Sequence, residues 1–262
     1  MTSWWDKQIQ RADQLAAQAS GSKELLTFYA HLLRAQKEVY EFLRSRKGWL
    51  PSGDLVEDLP TLREALPGFL RVIEANGPVS LADDAHNLSE AGDDFISEAL
   101  ISHWRDPSDV QFFAKALLQP YGRWLADCGA APLGRVSGGN ERLCQFCGGK
   151  PQVSFLESKE ANAESGIREL VCATCLSSWE FLRVVCANCG EERPPKLGYF
   201  HSPEWDHVRI EACDTCHHYI KGVDLTRLGL ATPLVDDIAS SPLVLWAREH
   251  GYRKIDLNLV GL

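Results

Sequence analysis

The chain has 262 residues, 45% of them hydrophobic, and carries 27 Lys and Arg against 36 Asp and Glu, a formal charge of −9. That length and apolar content suffice for one large domain or two smaller ones. The acid excess runs through every segment, with 14 cations against 19 anions over residues 1–140, 10 against 13 over 141–227 and 3 against 4 beyond, so no stretch offers the cation cluster that a nucleic-acid face requires.

The opening MTSWWDKQIQRADQ lacks the basic region and apolar run of a secretory signal, and no apolar stretch reaches the roughly 18 residues of a membrane span. A soluble, cytoplasmic protein without membrane contact is expected. In that compartment nine cysteines should stay reduced and serve metal binding or redox chemistry.

From Ser22 to Lys47, Leu25, Leu26, Tyr29, Leu32, Leu33, Val39, Tyr40 and Leu43 recur at steps of three and four, which predicts an amphipathic helix. Shorter helical segments follow around Leu59–Asn76 and Leu81–Trp104, punctuated by Pro60, Pro67, Gly77 with Pro78, and Gly92. A further helical period runs through Val110, Phe113, Leu117, Tyr121, Trp124, Leu125 and Cys128, with a kink or interruption expected at Pro120. The stretch APLGRVSGGN then ends the helical pattern and predicts a boundary near residue 138. Short strands are expected at Val153–Leu156, Glu169–Val171 and Val208–Glu211, and helical periodicity returns from Pro233 to about Gly251.

Eight of the nine cysteines form four Cys-x-x-Cys pairs: Cys144 with Cys147, Cys172 with Cys175, Cys186 with Cys189, and Cys213 with Cys216. A tight turn at that spacing lets both sulfurs point at one tetrahedral cation while backbone N–H groups support the thiolates. The pairs repeat at a period of 41 or 42 residues. Gly148 and Gly190 follow the first knuckle of each unit, where a positive φ suits the turn's exit, and Arg168 and Arg209 stand four residues before the second. The simplest arrangement is two tandem modules, one holding a metal through Cys144, Cys147, Cys172 and Cys175 and the next through Cys186, Cys189, Cys213 and Cys216. An interleaved arrangement, in which the first and third knuckles share a metal, is the alternative.

Two mononuclear ions are expected, one per four-cysteine site, either Zn or a single Fe of the rubredoxin kind, since ligand type does not separate them. Four thiolates on a divalent ion carry −2, so two loaded sites take the chain to about −13. His217 and His218 are expected to be a partly exposed pair after a turn, because the cysteines already complete two tetrahedra; His201 and His207 are expected in loops, and Cys128 as a small hydrophobe. Trp179, Phe181 and Val184 are expected to join the modules. No phosphate loop, nucleophile elbow or catalytic set is present.

The expected fold class is therefore α+β: a helical domain over residues 1–138, rubredoxin-like or zinc-ribbon modules over 139–184 and 185–230, and a C-terminal helical tail over 231–262. The runs CQFCGGKP, RELVCATCLSSWEFLRVVCANCG, RIEACDTCHHYIKGVD and DDIASSPLVLWAREHGYRK, from about residue 142 onward, resemble the formate dehydrogenase accessory protein family, FdhE, with a weaker likeness around FYAHLLRAQKEVYEFL. The resemblance implies a non-catalytic cytoplasmic maturation factor whose partner is the catalytic subunit of formate dehydrogenase, with the eight paired cysteines binding metal. A one-electron redox protein is the alternative function; a nucleic-acid-binding ribbon is opposed by the charge.

Overall fold

The computed structural model describes residues 3–18, 21–134, 138–158 and 166–262. The N-terminal half is helical: α1 (Trp4–Gln18), α2 (Lys23–Ser45), α3 (Leu55–Asn76), α4 (Val79–Glu90), α5 (Asp93–Arg105) and α6 (Phe112–Cys128). Helix α2 matches the predicted period, and its buried stripe includes Leu26, Leu32, Leu33, Val39 and Leu43. Helix α1 escaped the apolar pattern because its buried side includes Gln8 and Arg11 alongside Trp5, Ala12, Leu15 and Ala16.

The prolines do not divide the helices. Pro60 and Pro67 lie inside α3, whose start is capped by the Asp54 carboxylate accepting from the Val56 N–H at 2.9 Å. Pro120 lies within a continuous α6, correcting the expected interruption. Proline there removes the N–H that would pair with the carbonyl four residues earlier. The Gln36 side-chain amide of α2 donates to that carbonyl, Ala116 O, at 2.8 Å.

The C-terminal half is built on a sheet. Strands β1 (Pro151–Glu157), β2 (Ile167–Cys172) and β3 (Ser178–Glu180) form one antiparallel meander, and β4 (Leu197–His201), β5 (Val208–Cys213) and β6 (His218–Asp224) form another. Strand β1 runs parallel to β6, from Val153 opposite Lys221 to Leu156 opposite Asp224, giving the order β3-β2-β1-β6-β5-β4. The two ribbons thus share one sheet. Helices α7 (Pro233–Ala239) and α8 (Ser241–Glu249) follow, meeting at Ser240, and β7 (Arg253–Lys254) pairs in parallel with the start of β6. The fold is α+β.

Alternation along each strand separates the two faces of the sheet. Val153, Phe155, Val171, Val208, Ile210 and Val223 enter one apolar core with the helices. The opposite face carries Arg168 and Arg209, the two positions singled out by the repeat, and both bind Glu211. Arg168 Nη2 lies 2.6 Å from Glu211 Oε2, and Arg209 Nη2 lies 2.8 Å from Oε1. Glu211 crosses above Gly222, where an added Cβ would fall 2.5 Å from its carboxylate oxygen. In the first module the equivalent position, two residues before the second knuckle, is Leu170, so the repeat is broken where the modules join.

On the helix-facing side, Lys221 and Lys254 hold Asp237 of α7. Lys254 Nζ contacts both carboxylate oxygens at 2.7 and 2.6 Å, and Lys221 Nζ donates to the Asp237 and Ser240 carbonyls. Burial pushes Lys221 down to about 8, against the pull of Asp237. Burial also opposes ionisation of Asp237, but the two ammonium groups outweigh it and leave its carboxyl below the usual range. No helix among the described residues is long and apolar enough to cross a membrane.

Candidate metal centres

Three of the four knuckles are turns closed by the same backbone bond. Gly148 N–H donates to Cys144 O at 2.8 Å, Gly190 N–H to Cys186 O at 3.0 Å, and His217 N–H to Cys213 O at 2.8 Å. The residue after the second cysteine has a left-handed φ in all four knuckles: 69° at Gly148, 57° at Leu176, 81° at Gly190 and 55° at His217. The φ expected from the two glycines is therefore present, and His217 occupies the same position in the fourth knuckle. Its place is a backbone role, at the cost an L residue bears at positive φ.

The strand directions bring the knuckles together. β1, β4 and β6 run the same way and β2 and β5 oppose them, so knuckles that precede β1 and β4 and knuckles that follow β2 and β5 all lie at one end of the sheet. The structure groups Cys144, Cys147, Cys172 and Cys175 in one cluster and Cys186, Cys189, Cys213 and Cys216 in a second, the sulfurs of each lying within 4.8 Å of one another. This is the sequential grouping; no thiol is shared between modules.

The sulfur spacing is that of a metal site and not of a disulfide. Across the knuckles, Cys144 and Cys175 sulfurs are 3.6 Å apart, Cys147 and Cys172 3.4 Å, Cys186 and Cys216 3.7 Å, and Cys189 and Cys213 3.7 Å. A tetrahedron with metal–sulfur bonds of about 2.3 Å has sulfur–sulfur edges of about 3.8 Å, whereas a disulfide brings sulfurs to about 2.05 Å. Backbone N–H groups point at the sulfurs, Thr174 to Cys172 at 3.3 Å and Asn188 to Cys186 at 3.4 Å. The donor sets and geometry fit a tetrahedral thiolate-bound ion in each group. Burial, then the neighbouring sulfurs, push the Cys172 thiol well up, a cost that a divalent cation overcomes by taking the thiolate.

The surroundings of the two groups differ. All four cysteines of the first are buried, with Cys147, Cys172 and Cys175 at 0% exposure, while Cys189 and Cys216 of the second are half-buried. The first is sealed by α6. Gln119 Nε2 donates to Ala173 O at 2.9 Å and Arg123 Nη1 to Leu176 O at 3.3 Å. Between them Gly122 lies so close that an added Cβ would stand 3.1 Å from Cys175 Cα. Phe146 and Trp179 pack on the same cluster, with Trp179 Nε1 donating to Glu141 O at 2.9 Å.

The second group is held by polar ties at the surface. Glu191 bridges its knuckles, accepting from Thr215 Oγ1 at 2.6 Å and pairing with Arg193 at 2.6 Å. Those bonds hold the Glu191 carboxyl well below the usual range. Arg142 Nη1 donates to Asn188 O at 2.9 Å, and Tyr252 donates to Asp214 at 2.6 Å, which raises the phenol to about 12.

Neither His217 nor His218 enters a thiol group. His218 Nδ1 lies 2.7 Å from Cys216 O, and the His217 ring faces Tyr252. His207 is buried and bonds Asp236 at 2.8 Å, whereas His201 is exposed on β4. Cys128 is half-buried at the end of α6, outside both groups. Trp179 and Phe181 pack on Leu170, Ala187, Ile220 and Ile255, joining the modules as expected, while Val184 is 48% exposed. Cysteine spacing did not point to Gln119, Gly122 or Arg123. The available signal was Gly122 itself, a helix-interior glycine that costs about 1 kcal/mol relative to alanine and marks a close approach.

Residues 184–260 match the family described as FdhE, C-terminal domain. Among curated proteins, the chain is 40% identical over 156 residues to a "Protein FdhE homolog" of Aquifex aeolicus, covering 58% of this chain and 52% of that protein. It is 29% identical over 218 residues to a "Protein FdhE homolog" of Stutzerimonas stutzeri, covering 81% and 66%. The chain thus spans about half to two-thirds of the length of these curated relatives. The crystal structure of the FdhE protein from Pseudomonas aeruginosa superposes with a TM-score of 0.71 at 24% identity, covering 98% of this chain and 94% of that one, and so shares the fold. The segment that matches the FdhE C-terminal domain spans the second thiol group, the joint with β6 and the closing helices.

Proposed function

We propose that this protein is an accessory factor for the assembly or activation of formate dehydrogenase, acting in the cytoplasm as a binding protein rather than a catalyst. In this reading it recognises the catalytic subunit through the metal-stabilised sheet. The carrying observation is the alignment of two complete four-cysteine groups along one end of a sheet shared by both modules, in a chain whose residues 184–260 match the FdhE C-terminal domain. Cys144, Cys147, Cys172 and Cys175 would hold one ion, and Cys186, Cys189, Cys213 and Cys216 another. Bound there, Zn or Fe supplies the cross-link that fixes the knuckles; Fe would add a one-electron couple. The chain's own groups position the knuckles: α6 presses on the first, while Glu191 and Tyr252 tie the second.

The test is co-purification of the formate dehydrogenase catalytic subunit with the wild-type protein and with a Cys172→Ser, Cys213→Ser double variant. Recovery with wild type and loss with the variant is expected. Equal recovery with both would remove metal-dependent recognition.

The half-buried second site favours a second reading, in which an iron centre held by four thiolates passes single electrons. Protein purified without oxygen that is colourless and contains only Zn would dismiss it.

A further inference from the structure

Helix α4 buries little of itself. Of its 12 residues only Ala85 is buried; Leu81, Ala82 and Leu88 are half-buried and the rest are exposed. A helix of that length is marginal by propensity and draws its stability from packing one face, so a bare face on it has room for a partner. Asp84, Asn87 and Leu88 follow one another along one side of α4 toward its C-cap, Ala91. With Phe95 of α5 and Phe113 of α6 these residues wall an open groove of about 470 Å3. Phe95 is 60% exposed, an unusual position for so large an apolar ring.

The charge around this groove has one sign. From Val72 to Trp104 the sequence holds seven Asp and Glu and no Lys or Arg. Asp84 stands in the groove wall and Glu98 lies one turn from Phe95 on α5, both exposed and neither with a cationic partner among the described residues. Glu74 is met only by His86, at 3.1 Å. Cations on the adjoining helices are engaged or remote: Lys115 of α6 is held by Asp256 and Asp109, Arg71 of α3 donates to Pro67 O on its own helix, and Arg105 ends α5. That end is about 15 Å from Phe95 along the helix.

We propose that this groove receives a basic amphipathic helix of a partner protein, its apolar face on Leu88, Phe95 and Phe113 and its cations beside the carboxylates. The walls offer only two polar side chains, Asp84 and Asn87, and lie on helices whose backbone groups are engaged internally. An extended peptide would leave its N–H and C=O groups unmatched there, whereas a helix satisfies its own. The wall from Asp84 to Ala91 is about two turns long, the span over which a docked helix presents anchors at steps of three and four. A second copy of the chain is disfavoured because a two-fold contact sets a patch against itself, here carboxylates against carboxylates. The same carboxylates repel nucleic acid and an anionic membrane surface. This proposal does not depend on the formate dehydrogenase reading, and each can fail without the other.

The test uses the full metal-loaded chain and fluorescence anisotropy with the fluorescein-labelled helical peptide LKKLLKLLKKLLKL. The controls are its acidic analogue LEELLELLEELLEL and a peptide of the same residues reordered so that Leu and Lys alternate, which destroys the helical stripe. The basic helix is expected to bind and both controls to bind at least about tenfold more weakly, the scale of a lost interface anchor. Phe95→Glu should weaken the basic helix by about tenfold or more with an unchanged melting temperature. The Asp84→Lys, Glu98→Lys pair should weaken it and flatten its salt dependence, while Glu204→Lys, an equally exposed acid on the far half of the chain, should leave it unchanged. Absence of binding, equal affinity for the alternating peptide, binding untouched by Phe95→Glu, or an equal effect of Glu204→Lys would each overturn the proposal. So would self-association of the free chain that Phe95→Glu abolishes, seen by sedimentation velocity, since the groove would then belong to a second copy.

Discussion

The two thiol groups share a motif, a turn geometry and a position at one end of the sheet, yet they stand in opposite environments. The first is dry, with α6 pressed on its second knuckle through Gln119, Gly122 and Arg123. The second leaves Cys189 and Cys216 half-buried and relies on Glu191, Arg142 and Tyr252 at the surface. Equal chemistry in unequal burial separates two jobs. A metal in the first group would stabilise the seam between the helical half and the sheet, whereas one in the second would stabilise mainly its own ribbon and stay within reach of solvent.

The largest effect that probes this contrast comes from removing a thiol. A structural tetrahedral ion contributes on the order of 10 kcal/mol to folding. Cys172→Ser should lose one metal equivalent and melt far below wild type, while Cys213→Ser should also lose one equivalent but melt closer to it. Elemental analysis with thermal melts followed by circular dichroism measures both, and equal melting shifts would erase the distinction. A competing chelator should likewise draw metal in two phases, with the fast phase missing from Cys213→Ser.

The joint between the modules comes next. Arg168→Ala would leave Glu211 buried with only Arg209, and breaking a buried pair costs about 3–5 kcal/mol. Urea denaturation should show this loss, with both metals retained at neutral pH. A loss under about 1 kcal/mol, the scale of an exposed pair, would mean that the joint is held by the β1–β6 ladder alone.

Lys221 supplies a pH signature on the helix-facing side. Its folded value is about 8 against an ordinary 10.5, so its contribution is present above the unfolded value and is lost as pH falls through the folded one. That difference corresponds to about 3 kcal/mol. Wild type should therefore gain stability relative to Lys221→Met as pH rises from 8 to 10.5, read by urea midpoints; a flat difference would contradict the buried environment.

Gly122→Val tests the seal of the first site alone. Overpacking a tight contact costs about 1–3 kcal/mol. It should speed metal release from the first group without altering the second, and equal release from both would show that α6 does not discriminate between them.

Much of the helical half was legible because α2 buries a regular apolar stripe and α6 is apolar along most of its length. Helix α1 was not, since Gln8 and Arg11 occupy its buried side and the charge of Arg11 is met by Asp236, 225 residues away. Pro120 read as an interruption because the rescue of the Ala116 carbonyl comes from Gln36 on another helix. Strands β3 and β7, of three and two residues, were too short to show alternation, and in β4 and β6 Gly198 and Gly222 interrupt it.

What the amino-acid order determined by itself was the knuckles and their partners. Ligand spacing and a left-handed exit residue are local properties of a turn, and a self-contained repeat makes the sequential grouping the shortest closure. What only the tertiary structure decided was how the modules meet and which site is sealed. The parallel β1–β6 ladder, the sharing of Glu211 by two arginines from different modules, and the approach of Gly122 to Cys175 are contacts between distant segments. Their energies depend on burial and on partners that no local pattern encodes.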